Sequence, residues 1–138
     1  MTQHCDPIIT AQDTRYPSVV RGFNLRWVGT PQAVYACSRP EEVVQAVQYA
    51  LDRQLRLTVR SGGHCYEDFS YGNEGGLIVD LTGLRRVYWD DAKGCYCVAA
   101  GATLWDVYNQ FQRTCGVALP GGSCYSVAAG GHVTLRTS

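Results

Sequence analysis

Apolar residues occur in short clusters separated by polar, glycine-bearing stretches, and the spacing within each cluster predicts its element. Ala33-Val34-Tyr35-Ala36-Cys37 is an unbroken apolar run, the pattern of a buried strand. Ser38 then offers an N-cap, Pro40 sits in a first helical turn, and Glu41 and Glu42 face the positive end of the helix dipole. Val43, Val47, Ala50 and Leu51 recur at helical spacing and carry an apolar face to about Arg53. Leu55 to Arg60 reads as a second strand, ended by Gly62-Gly63, and Leu77 to Leu81 as a third. Strand, helix and strand with short links make a βαβ unit, for which a right-handed crossover is expected. Residues 1–32 are polar and irregular, with a short helix expected within 13–24 and interrupted at Pro17.

The second half has a different rhythm. Arg86 to Trp89 and Cys95 to Ala99 alternate as two strands around a turn at Asp90 to Gly94, a hairpin. Thr103 and Asp106 have capping-box spacing, and Leu104, Val107, Tyr108 and Phe111 fall on one face of the helix that follows, with Gly116 as its C-terminal stop. Ser126 offers a further N-cap to a short turn at Val127-Ala128-Ala129. The fold class expected is α+β. No repeat, low-complexity tract or linker divides the chain.

Composition narrows the function classes. At 138 residues the chain has the length of one domain, and 46% apolar with 17% charged residues suits a packed core. Twelve Lys and Arg balance twelve Asp and Glu, so the charge footprint of a nucleic-acid or anionic-membrane partner is missing. The apolar runs are too short to span a bilayer. Met1 to Pro7 lacks the basic and apolar regions of a secretory signal, and the seven cysteines lack disulfide-framework spacing. A cytoplasmic setting is expected, with most cysteines free and buried, although a secreted protein whose signal has been removed fits as well.

Two segments carry chemistry. Val59-Arg60-Ser61-Gly62-Gly63-His64 puts paired glycines after a strand, where backbone N–H groups can turn toward an anion, but it is neither a Walker loop nor a G-x-G-x-x-G fingerprint. A tight turn is the competing reading. The long loop from Ser61 to Gly76 is of the kind that is functional or disordered. His64 alone fits a loop histidine, a metal ligand or a base. No cysteine or histidine pair has zinc spacing, so no metal site is expected. Cys124 lies in Pro120-Gly121-Gly122-Ser123-Cys124-Tyr125-Ser126-Val127-Ala128-Ala129-Gly130-Gly131-His132, where a turn leaves a small apolar side chain little core to fill and a nearby helix start favours the thiolate. Cys124 with His64 or His132 would also suit a Cys-His hydrolase.

Together these strings, with Gly101-Ala102-Thr103-Leu104 between them, resemble the FAD-linked oxidases of the vanillyl alcohol oxidase superfamily, in the berberine bridge enzyme-like group. The resemblance covers residues 25 to 134. It implies an FAD-binding domain of the PCMH type over 33–138, following an N-terminal segment at 1–32: a βαβ-containing first subdomain, then the start of a second. It implies a flavin bonded twice, by His64 at the 8α-methyl carbon and by Cys124 at ring carbon 6. By the same resemblance Arg60, Ser61, Gly62 and Gly63 surround the pyrophosphate, Gly130, Gly131, His132 and Val133 lie against the flavin and ribityl chain, and Gly101, Thr103 and Gly122 belong to the cofactor site. The implied reaction is hydride transfer from an alcohol, sugar or amine carbon of a small molecule to the flavin, with reoxidation by O₂. Family members continue several hundred residues beyond the equivalent of Ser138, so the substrate domain and the catalytic base are expected outside this sequence, which reads as an N-terminal portion. The alternative expectation is a non-catalytic remnant that binds FAD weakly or not at all.

Overall fold

The computed structural model describes residues 6–134; the readings of 1–5 and of 135–138 lie outside them. A four-stranded sheet is formed by β1 (Ile8–Ile9), β2 (Ala33–Ala36), β3 (Leu57–Arg60) and β4 (Leu77–Asp80), in the order β1-β2-β4-β3. β2, β4 and β3 are parallel, and β1 adds to the β2 edge antiparallel through Ile8↔Tyr35 and Ile9↔Val34. Helix α2 (Pro40–Asp52) connects β2 to β3. The strand–helix–strand unit is therefore split, because β4 inserts between the strands that α2 joins. Burial explains the order: every residue of Leu77–Asp80 is buried, whereas Val59 of β3 is 48% exposed. The most fully buried strand takes the centre, and the strand that ends at the glycine loop takes the edge.

Both faces of the sheet are covered. Ala33, Tyr35, Cys37, Leu77 and Val79 pack with Ala46 and Ala50 of α2 on one face. Val34 and Ile78 pack on the other with Ile9, Val20 and Tyr71, beside α1 (Tyr16–Val19). Buried Asn73 donates through Nδ2 to the carbonyls of Arg56 and Leu77 and to Thr58 Oγ1, and Arg56 donates to the Gly72 carbonyl. The later part of the 61–76 loop is thereby tied to β3 and β4.

The second unit starts with the hairpin of β5 (Val87–Asp90) and β6 (Cys95–Val98), whose turn uses the left-handed backbone of Gly94 (φ +60°). Val87 and Val98 pack on a small core of Ala102, Val107 and Phe111. Helix α3 (Leu104–Gln110) opens on the expected capping box: the Asp106 N–H donates to Thr103 Oγ1 at 3.3 Å, and the Thr103 N–H donates to Asp106 Oδ2 at 2.8 Å. It widens into a π-helical turn, Phe111–Cys115, and stops at left-handed Gly116 (φ +63°). Helix α4 (Ala129–Thr134) ends the described chain.

Several local expectations are corrected. The N-cap of α2 is Arg39; Ser38 instead donates its N–H and hydroxyl to the Glu42 carboxylate. Ala46 and Ala50 face the sheet, while Val47 and Leu51 are exposed, because the helix lies close through its small residues. Pro17 starts α1 rather than interrupting a helix, since its fixed φ suits the first turn. Helix α4 begins at Ala129, so Ser126 lies before it in a turn and is no cap. The cysteines from Cys37 onward are free, but among the described residues Cys37 is the buried one, with Cys95 and Cys124 exposed. No helix among the described residues is long and apolar enough to cross a membrane.

Candidate functional site

The two glycine loops dock on each other. Ala99 to Leu104 forms the shelf beneath both. Ser61 Oγ donates to the Ala100 carbonyl at 2.5 Å, and the Gly130 N–H donates to the same oxygen at 2.8 Å. The Leu104 N–H donates to the Val127 carbonyl, and the Ala129 N–H to that of Ala102. Gly62 packs so closely that a Cβ there would lie 2.6 Å from the Ala128 nitrogen. A Cβ on Gly130 would lie 2.9 Å from Ser61 Oγ. These glycines are contact surfaces between loops.

This docking joins His64 to Cys124. Ser126 Oγ lies 2.9 Å from His64 Nε2 and 3.5 Å from Cys124 Sγ. Phe23 stacks on the imidazole with centroids 4.9 Å apart and planes at 22°, and its N–H donates to the Gly63 carbonyl. Phe23 and Ser126 were not among the expected site residues. Ser126 carried a capping signal instead, and Phe23 lies in an irregular stretch with no pattern to mark it. The Cys124 thiol is held below its ordinary range, first by the Ser126 hydroxyl and then by the Ser126 and Val127 N–H groups, against the effect of burial.

The loop after β3 offers an anion cradle. Gly63 is left-handed (φ +72°), and among the described residues the N–H groups of Gly62, Gly63, His64 and Cys65 donate to no protein acceptor. Successive unpaired N–H groups around a left-handed glycine form a concave partial positive charge suited to phosphate. Arg60, expected around the pyrophosphate, lies beside Gly63. Its Nη1 donates to Asp80 Oδ2 and the Val19 carbonyl, both at 3.1 Å, while its Nε, buried and without a partner among the described residues, lies by Gly63.

The other expected residues divide by position. Gly101 is pressed against the Leu81 carbonyl, and Thr103 caps α3. Gly122 packs beside Leu104 and the His132 ring, and its carbonyl accepts from the Tyr108 hydroxyl at 2.6 Å. Gly131 has open space where a Cβ would be, and Val133 is exposed. The loop after β3 thus carries the unpaired N–H groups and His64, and the loop before α4 carries Cys124, with Ser126 between the two side chains. That combination suits a phosphate-bearing cofactor.

Comparison with known proteins identifies the cofactor. Residues 31–138 match the family model described as FAD binding domain, and the chain belongs to that family of FAD-linked oxidoreductases. It is 44% identical over 124 residues to the hexose oxidase of Chondrus crispus, covering 88% of this chain and 22% of that protein. It is 40% identical over 122 residues to the aclacinomycin-N/aclacinomycin-A oxidase of Streptomyces galilaeus, covering 88% and 22%. Among solved structures, aclacinomycin oxidoreductase superposes with a TM-score of 0.87 at 38% identity, over 91% of this chain and 26% of that one. The chain spans about a quarter of the length of these relatives. The expected α+β fold, the FAD-linked oxidase family and FAD as cofactor all stand.

Proposed function

We propose that this chain is the flavin-anchoring part of an oxidase whose FAD is bonded twice, by His64 at the 8α-methyl carbon and by Cys124 at ring carbon 6. The observation that supports it most directly is that two nucleophiles distant in sequence reach one Ser126 hydroxyl on the accessible side of both glycine loops. With Nε2 of His64 engaged by Ser126, Nδ1 is the ring nitrogen left for a bond to carbon. The N–H groups of Gly62 to Cys65 suit the pyrophosphate. Gly130, Gly131, His132 and Val133 form the surface offered to the flavin and ribityl chain, where the open space at Gly131 admits close approach. Gly101, Thr103 and Gly122 hold that surface in place.

When bound, FAD supplies a two-electron acceptor for substrate oxidation. This chain's residues would bind and orient it, through His64, Cys124 and the two glycine loops. In the whole protein the reaction proposed is oxidation of an alcohol carbon to a carbonyl, with O₂ reduced to hydrogen peroxide. A sugar hydroxyl is the favoured substrate, in keeping with relatives named hexose oxidase and glucooligosaccharide oxidase. The base that removes the hydroxyl proton is assigned to residues outside this chain.

The test is acid precipitation of the chain expressed with FAD available. Yellow colour is expected in the pellet, reduced in His64→Ala and in Cys124→Ala and lost in the double variant. Colour that partitions wholly into the supernatant refutes covalent attachment. A protein colourless in both fractions favours the remnant that does not retain FAD.

A further inference from the structure

We propose that Ser126 is a positioning residue that links the two anchors into a proton relay, from the Cys124 thiol through its own hydroxyl to Nε2 of His64. The inference rests on the reading of His64 and Cys124 as anchors, but its chemistry belongs to this chain alone. A hydroxyl carries one proton and two acceptor sites, so Ser126 can donate to one neighbour while accepting from the other. Its 2.9 Å and 3.5 Å separations from Nε2 and Sγ place it in hydrogen-bond range of both. In the relay, starting from the neutral His64 tautomer that carries its proton on Nδ1, the Cys124 S–H bond breaks as an O–H bond forms on Ser126, and the original Ser126 proton passes to Nε2. Thiol and neutral imidazole become thiolate and imidazolium, the hydroxyl is restored, and net charge is unchanged. A carbon on Nδ1 would leave Nε2 as the ring's remaining acceptor, so bonding of His64 first would prepare Cys124 second.

The backbone holds Ser126 for this task. The Val127 N–H donates to the Cys124 carbonyl, closing the turn, and the Trp105 and Leu104 N–H groups donate to the carbonyls of Tyr125 and Val127 on either side of Ser126. Gly62 presses on the same segment from the His64 loop. The titratable neighbours are Cys65 beside His64, Tyr71 with its hydroxyl against Gly63, Tyr125, Tyr108 from α3, His132 from α4 against Gly122, and the Arg60–Asp80 pair under Gly63. Among the described residues none of these is hydrogen-bonded to the Cys124, Ser126 or His64 side chains.

The experiment is the rate of Cys124 alkylation by iodoacetamide in the flavin-free chain from about pH 5.5 to 9.5, spanning the His and Cys ranges, read by peptide mass spectrometry. Wild type should react with a midpoint below that of an ordinary thiol. Ser126→Ala and His64→Ala should each move the midpoint up, with about a tenfold loss of rate on the acid side per pH unit moved. Ser126→Thr, which keeps the hydroxyl, should retain the wild-type profile. Buried Cys37, pushed up to about 11 by its burial, should stay unreactive in every variant and so reports that each one is folded. A wild-type midpoint in Ser126→Ala overturns the relay. So does a shift in Ser126→Ala with none in His64→Ala. Acid-stable colour, measured separately on FAD-loaded samples of the same variants, tests the anchoring reading independently of this outcome.

Discussion

Replacing Gly62 with alanine tests the idea that the two loops are locked rather than merely adjacent. The new methyl carbon would lie 2.6 Å from the Ala128 nitrogen, 2.9 Å from the Ala128 Cβ and 3.2 Å from the Ser126 carbonyl oxygen. Two of these atoms are backbone, in a segment whose neighbouring Val127 carbonyl and Ala129 N–H are hydrogen-bonded to Leu104 and Ala102, so no side chain can swing aside. Carbon contacts relax near 3.5–4.0 Å, so the loops must separate by about 1 Å. Overpacking of this kind costs roughly 1–3 kcal/mol. Taking about 2 kcal/mol, Tm should fall by roughly 6–10 °C for a domain of this size. Gly131→Ala is the matched control: it adds the same methyl within a helix where nothing lies within 4 Å, and should leave Tm unchanged or slightly raised. Calorimetry or circular dichroism on the flavin-free chain gives both values. If Gly62→Ala melts with wild type, the loops are loosely apposed and the argument for a rigid His64–Ser126–Cys124 geometry fails. The same variant should also reduce acid-stable flavin, because it displaces Ser126 from His64.

Other consequences follow from buried charge. Asp80→Ala strands the Arg60 guanidinium beneath the loop and removes the acceptor of the Thr82 N–H, which should cost about 3–5 kcal/mol, measured as a lower urea midpoint with an unchanged slope. The Glu42 carboxyl is held at about 2, down from 4.5, first by the Ser38 N–H and then by the Arg39 guanidinium. A depressed carboxyl stabilises the fold above its unfolded value and loses that contribution as pH falls through its folded one. Urea midpoints should therefore drop between pH 4.5 and about 2, and Glu42→Gln should flatten that part of the profile. An unchanged slope in the variant would show that other carboxyls control acid unfolding.

The elements with strong local signals were legible. Cys95 to Ala99, the Thr103–Asp106 capping box and the Gly116 stop each rest on contacts within a few residues, and the structure reproduces them. The expectations that failed depended on what lies across the core. Val47 and Leu51 share helical spacing with Val43 and Ala50, yet α2 turns its alanines to the sheet because close packing there favours small side chains. β1 escaped notice because two isoleucines in a polar stretch give no periodicity; an existing edge on β2 makes them a strand. The central place of β4 was equally hidden, since order in a parallel sheet is decided by burial on both faces.

His64 and Cys124 stood out in the sequence because paired glycines beside a nucleophile are informative at short range, and their glycine strings carried the family resemblance with them. That much is determined by residue type and local spacing. Their meeting was decided only by the tertiary structure. The shelf at Ala99 to Leu104 draws two loops together, Gly62 permits an approach that any Cβ would block, and Ser126 becomes the shared neighbour of both side chains. Hydrogen bonds between segments far apart in the chain set that geometry, and no local pattern encodes a partner that folding alone brings near.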